Sequence, residues 1–147
     1  MGDLQSLRDQ GEAAWSAGQW ELAQAAYTAI AEVDPSDDLA NARNCWLNLF
    51  LGEIDEGMKH LRRRSDHYLE QGDTESALTV FREAQAEFPK VLEIANDLGC
   101  LLIALGYVEE GTEHFRRLGH DALDIDIEEA MEAFRRWDFL KRLKSIS

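Results

Sequence analysis

Apolar residues recur with helical spacing almost from one end of the chain to the other, and glycine rather than proline punctuates the pattern. That period predicts helices at about 4–17, 20–33, 37–51, 54–71, 74–87, 91–105, 108–118 and 124–143. No stretch alternates apolar and polar residues over the length of a strand, so the expected class is all-α. The segment after Gly52, EIDEGMKHLRRRSDHYLEQ, has no proline and one internal glycine, and it reads as a single uninterrupted helix.

The punctuation is itself periodic. Gly18 and Gly52 are 34 residues apart, and so are Gly72 and Gly106. Each closes a helical pattern, where glycine takes a left-handed backbone without a Cβ penalty. Five residues beyond each stands a small residue, Ala23, Gly57, Ala77 or Gly111, and four further on a large one, Tyr27, Leu61, Phe81 or Phe115. Small and large at i, i+4 suit closely approaching helices with a bulky knob between them. Seven residues before each glycine the chain is small again, at Gly11, Cys45, Ser65 and Gly99. A longer echo overlies this one: CWLNLFLGEIDEG (45–57) and GCLLIALGYVEEG (99–111) align at an offset of 54 residues, and His60/His114, Arg62/Arg116 and Arg63/Arg117 agree downstream.

These residues resemble the tetratricopeptide repeat, a helix-turn-helix unit of about 34 residues. Trp20, Tyr27 and Pro35 in the first unit and Tyr68, Phe81, Ala84 and Pro89 in the third carry the resemblance beside the glycines. Departures are Leu7 where an aromatic is expected and the missing closing prolines of the second and fourth units. The resemblance implies a helical-hairpin solenoid, a right-handed superhelix of about four units at 4–35, 37–64, 58–89 and 91–118 within residues 1–119. Only 20 residues separate Gly52 from Gly72, so units two and three share a helix. Residues 120–147 lie outside the repeat, and Ile127, Ala130, Met131, Phe134, Trp137 and Leu140 recur there as the inner face of a capping helix.

Charge narrows the partners. Asp and Glu number 29 against 15 Lys and Arg, a net charge of −14, which repels the phosphate backbone of nucleic acid and anionic membranes. No run reaches the roughly 18 apolar residues of a membrane span, and the amino terminus lacks a secretory pattern, so a cytoplasmic location is expected. Cys45 and Cys100 are too few and too far apart for a disulfide framework, and they read as small core residues.

Catalytic signatures are missing: the chain has no GxxxxGK[ST], GxSxG or HExxH. His60 and His67 stand i, i+7 on a helix whose Lys59, Arg62, Arg63 and Arg64 oppose a cation, so neither metal nor cofactor is expected. The chain is read as non-enzymatic.

Differences between the two 54-residue copies point to a binding surface. On the third helix Leu39, Arg43, Trp46 and Phe50 share a face whose counterparts on the sixth are Glu93, Asp97, Cys100 and Ala104. The core face carries Ala40, Leu47 and Leu51 in one copy and Ile94, Leu101 and Leu105 in the other. In the tetratricopeptide family the first helix of each unit lines a concave, peptide-holding groove. The resemblance implies that Leu39, Arg43, Trp46 and Phe50 line it here, with Arg8, Lys59, Arg62 and Arg63 at comparable groove-side positions. Aromatic side chains beside basic ones suit an acidic-hydrophobic peptide or protein segment. The same residues also suit internal packing, with Lys59 to Arg64 paired to Asp55 and Glu56. Glu12 stands where a two-carboxylate clamp needs asparagine, which argues against that specialised mode. Two other functions stay open, a secretion chaperone of the bacterial type III translocator class and a scaffold that self-assembles through its terminal helix.

Overall fold

Eight helices follow one another in the computed structural model, which describes residues 2–146; the outermost residues of the expected boundaries, 1 and 147, lie outside it. They are α1 (Gly2–Ser16), α2 (Trp20–Val33), α3 (Asp38–Phe50), α4 (Ile54–Glu70), α5 (Thr74–Glu87), α6 (Leu92–Ala104), α7 (Val108–Ala122) and α8 (Ile127–Ile146). No strand occurs among the described residues. The fold is all-α, built of consecutive helical hairpins, and α4 is one continuous helix of 17 residues.

The four turn glycines carry φ of +70 at Gly18, +83 at Gly52, +75 at Gly72 and +91 at Gly106, and no other described residue has positive φ. At Gly52 the cause is visible in the hydrogen bonds. The Gly52 N–H donates to the Leu49 carbonyl at 3.2 Å and the Glu53 N–H to the Asn48 carbonyl at 2.7 Å. This pair of bonds satisfies the last carbonyls of α3 only when the residue between is left-handed. The other three turns repeat the outer bond, from Gln19 to Ala14, Asp73 to Tyr68 and Tyr107 to Leu102. Asp37 opens α3 by accepting the Ala40 N–H on its carboxylate, which satisfies an orphan donor of the first turn.

The small and large residues pack as their spacing predicts. Ala23 and Ala77 are fully buried. A Cβ on Gly57 would lie 2.7 Å from the Leu49 side chain, and one on Gly111 would lie 2.5 Å from Ile103. Gly99 faces the Phe115 ring in the same way, and Gly11 the Tyr27 ring.

The chain forms two compact units, Met1–Val80 and Phe81–Ser147, which divide within α5. In the first, Ala14, Ala23, Tyr27, Ile30, Ala31, Ala40 and Leu47 make one core, with Trp15, Trp20 and Trp46 partly buried against it. In the second, Leu92, Ala95, Phe115, Leu118, Ala122, Ala130 and Ala133 make another, with Trp137 and Leu140 against it.

Several details depart from the periodicity. Helix α7 runs on to Ala122 rather than stopping near 118, because Leu118, Gly119 and Ala122 are buried beneath α8. Gly119 lies under the Phe134 ring, where a Cβ would come within 2.6 Å, so its glycine serves close packing and not a helix end. On α8 the expected inner face is split. Ala130, Ala133, Phe134, Trp137 and Leu140 pack inward, whereas Ile127 and Met131 are exposed. Leu51 is a third exposed, and Leu101 and Leu105 are half-buried, while Leu98 and Leu102 take the core positions of α6. Cys45 is buried, its thiol pushed up to about 12 by burial, but Cys100 is exposed and is not a core residue.

Helix α3 also buries three asparagines. Asn41 donates to the Pro35 and Asp37 carbonyls at 2.7 and 3.0 Å, and Asn48 donates to the Asn44 carbonyl while accepting from Gln24. Asn44 accepts from the Thr28 hydroxyl, but its amide nitrogen has no partner in the protein. Buried amides of this kind tie α3 to the loop before it and to α2, at a desolvation cost that each hydrogen bond offsets.

Candidate functional site

The eight residues that the sequence assigns to one groove fall in two places. On the side of α3 that meets α1 and α2 lie Arg43, Trp46 and Phe50. Trp46 sits between Trp15 and Trp20, with ring centroids 5.2 and 5.4 Å away, and Phe50 stacks on it at 4.9 Å with 9° between the planes. Phe50 remains 53% exposed, so this aromatic end is partly core and partly surface. Leu39, on the same face at the start of α3, is also exposed.

Arg43 is committed internally. It ion-pairs with Glu12 at 2.9 Å, donates to the Tyr27 hydroxyl at 3.0 Å and lies 4.3 Å from the Trp15 ring centroid. The Tyr27 hydroxyl in turn donates to Glu12. Burial, with that hydrogen bond to Glu12, pushes the Tyr27 phenol up to about 12. These contacts clasp α1, α2 and α3 together, and they account for Glu12 at its position. Arg8 likewise reaches across to Asp37 at 2.8 Å, holding the start of α3 to α1.

Lys59, Arg62 and Arg63 sit elsewhere. Together with Asp66, His67 and Glu70 of α4, and with Pro35 and Ser36 of the loop between α2 and α3, they line a groove of about 530 Å³. None of the α3 residues named above borders it. The inner face of α4 fixes this presentation. His60 and Leu61 are buried, the His60 Nδ1 lies 2.9 Å from the Asn41 Oδ1, and Gly57 meets Leu49. Arg64, one residue past the groove cations, bonds to Asp38 at 2.9 Å and pins the other edge. With those positions packed on α3, Lys59, Arg62, Arg63 and Asp66 are turned outward by the helical period.

The 54-residue duplication supplies an internal comparison. Arg62 and Arg63 recur as Arg116 and Arg117, but Lys59 is replaced by Glu113. In the second copy Glu113 clamps both arginines, meeting Arg116 at 2.9 Å and Arg117 at 3.4 Å. The hydrogen bond from Arg116 holds the Glu113 carboxyl below its usual range. In the first copy the same position adds a cation, and Lys59 approaches Glu56 at 4.0 Å. In the second copy, therefore, a carboxylate holds the arginine pair, and in the first the same position carries a cation beside the groove that Lys59, Arg62 and Arg63 line. The sequence contained this exchange, but it was legible only once the α4 groove showed which repeated positions face outward.

The positions that match Trp46 and Phe50 in the second copy, Cys100 and Ala104, line a separate apolar cleft of about 490 Å³ with Ile103, Phe115, Phe139 and Leu140. No helix among the described residues is long and apolar enough to cross a membrane.

Residues 67–90, which span the end of α4, all of α5 and the turn after it, match the tetratricopeptide repeat family model. Among solved structures the chain is similar to one titled "Crystal structure of MamA protein", at 14% identity and a TM-score of 0.41, covering 99% of this chain and 96% of that one. It is also similar to "MamA AMB-1 C2221", at 17% identity and a TM-score of 0.40, covering 95% of this chain and 99% of that one. A third, "MamA MSR-1 C2", stands at 17% identity and a TM-score of 0.37, with 96% and 98% covered. Comparison with curated proteins gives no match.

Proposed function

We propose that this helical-hairpin chain, with its tetratricopeptide repeat at residues 67–90, is a non-enzymatic protein-interaction module that holds an acidic segment of a partner protein in the α4 groove. The observation that carries this reading is the exchange of Lys59 for Glu113 at matched positions, beside arginine pairs that are otherwise the same. A carboxylate entering the groove meets the Lys59 cation at the position where the second copy has Glu113, with Arg63 beside it. It forms charge-assisted bonds with planar guanidinium donors suited to two oxygens at once. The Pro35 ring and the aliphatic stems of the basic side chains give an apolar residue of the same segment a surface to rest on.

The net charge of −14 does not oppose this. At physiological ionic strength fields decay over about 8 Å, so a segment seated in the groove responds to Lys59, Arg62 and Arg63, with Asp66 and Glu70 at the same groove, and not to the distant surface.

The test uses a fluorescent ten-residue peptide rich in Asp and Glu, titrated by anisotropy against the full chain. Lys59→Glu should weaken binding about tenfold or more, since the new carboxylate pairs with the local arginines and closes the groove. Lys59→Arg should keep the affinity. If Lys59→Glu binds as tightly as the parent, the groove is not the site.

A further inference from the structure

The turn between α7 and α8 has the chemistry that the α4 groove fits. Residues 123–129, LDIDIEE, are exposed throughout, and Leu123, Ile125 and Ile127 stand 45, 47 and 58% open to water with an acidic residue after each. The turn is also fixed. The Ile125 and Asp126 N–H groups donate to the Ala122 carbonyl at 2.9 and 2.8 Å, and the Asp126 carboxylate accepts the Glu128 N–H at 3.0 Å to open α8. A segment held in one shape before it binds loses little freedom on binding.

Two other stretches mix acids with exposed apolar residues, and there the acids are already held. Between Val33 and Leu39, Asp37 pairs with Arg8 and Asp38 with Arg64. Beside Tyr107 and Val108, Glu109 pairs with Lys144 and Glu110 with Arg82. In the α7–α8 turn, by contrast, no cation among the described residues pairs with Asp124, Glu128 or Glu129. Their carboxylates are open to an outside partner, and the aliphatic residues between them supply the apolar half of an acidic-hydrophobic segment. On the groove side, Lys59 stands seven residues before Asp66, about 10 Å along α4. A carboxylate of the turn set at Lys59 therefore keeps clear of the groove's own acids, Asp66 and Glu70, and leaves Ile125 to rest on Pro35.

Resting on the reading of the α4 groove given above, we infer that the acidic segment it takes is the α7–α8 turn of a second copy of this chain. Turn and groove are different surfaces, so the contact is heterologous: a pair of chains joined once keeps one groove and one turn unused, and the assembly closes on itself or grows. A seven-residue turn buries an area below that of stable interfaces, and the association is therefore reversible, with its extent set by concentration.

Sedimentation velocity on the full chain at about 0.15 M salt tests the proposal. The mass should rise with concentration above that of one chain. Two variants each remove one side of the contact: Lys59→Glu alters the groove, and Asp124→Asn with Ile125→Ser and Glu128→Gln alters the turn while leaving the Asp126 cap. Each should raise the dissociation constant by about tenfold or more, with unchanged far-ultraviolet circular dichroism because the side chains are exposed. An equimolar mixture of the two should associate again and stop at two chains, since one supplies an intact turn, the other an intact groove, and nothing is left to continue. The turn variant should still bind the Asp- and Glu-rich peptide as the parent does. A parent chain that binds this peptide yet stays single at all soluble concentrations would overturn the self-pairing and leave the groove reading in place, as would an assembly indifferent to the turn variant or a mixture that fails to recover. Peptide binding indifferent to Lys59→Glu would overturn both.

Discussion

Arg43 and Lys59 show how little of a basic residue's role its charge reveals. Arg43 bridges Glu12, Tyr27 and the Trp15 ring, whereas Lys59 faces a groove. Arg43→Ala should therefore cost about 1–3 kcal/mol of stability, read from the midpoint of urea unfolding, because it removes a half-buried cation from a phenol, a carboxylate and an indole together. Lys59→Ala should leave the midpoint nearly unchanged, as exposed pairs contribute little. Two histidines carry a pH prediction. Burial, abetted by the neighbouring Arg63, pushes His60 from 6.5 down to about 4, and burial likewise lowers His114, whose Nε2 lies 2.6 Å from the Ala95 carbonyl. Both stay neutral in the fold and take up protons on unfolding. Stability is thus fully present above about pH 6.5 and is lost as the pH falls toward about 4. Unfolding midpoints measured at pH 7.5 and 5 should differ, and His60→Gln should shrink the difference. An equal drop in the variant would assign the acid sensitivity to other groups.

Among the elements, those whose boundaries are set by local chemistry were legible from sequence. The turn glycines at 34-residue spacing located four hairpin turns, since few residues but glycine tolerate the φ those turns require. The small positions at Ala23, Gly57, Ala77 and Gly111 located the close approaches. What escaped was set by tertiary neighbours. The seventh helix reads as ending near 118 until the Phe134 ring is placed over Gly119, and α8 reads as one apolar face until α7 claims half of it. The burial of the α3 asparagines has no counterpart in the apolar pattern, because patterning scores them polar whatever they bond to. Gly119→Val should force α7 and α8 apart and cost about 1–3 kcal/mol, seen as a lower melting temperature and weaker near-ultraviolet signal from Trp137. An unchanged melting temperature would mean that the Phe134 ring can move aside at no cost.

For the molecule as a whole, the duplication is the informative feature, and it works by contrast. The shared residues build hairpins; the differing ones, Lys59 against Glu113 above all, set a groove lined by three cations against an arginine pair held by a carboxylate. The eight residues expected in one groove were legible as a set of aromatic and basic side chains, but not as two surfaces. That division follows from which face of α3 meets α1 and which meets α4, and helical period alone does not decide it. The central claim is that an acidic segment seats on α4 beside the α2–α3 loop. Its most direct test is the ¹H–¹⁵N correlation spectrum of the labelled chain during titration with the Asp- and Glu-rich peptide. The account predicts saturable shifts concentrated at Ser36, Lys59, Arg62, Arg63, Asp66 and His67, with Arg116 and Arg117 unmoved. Shifts centred on Trp20, Trp46 and Phe50, or none that saturate, would contradict it.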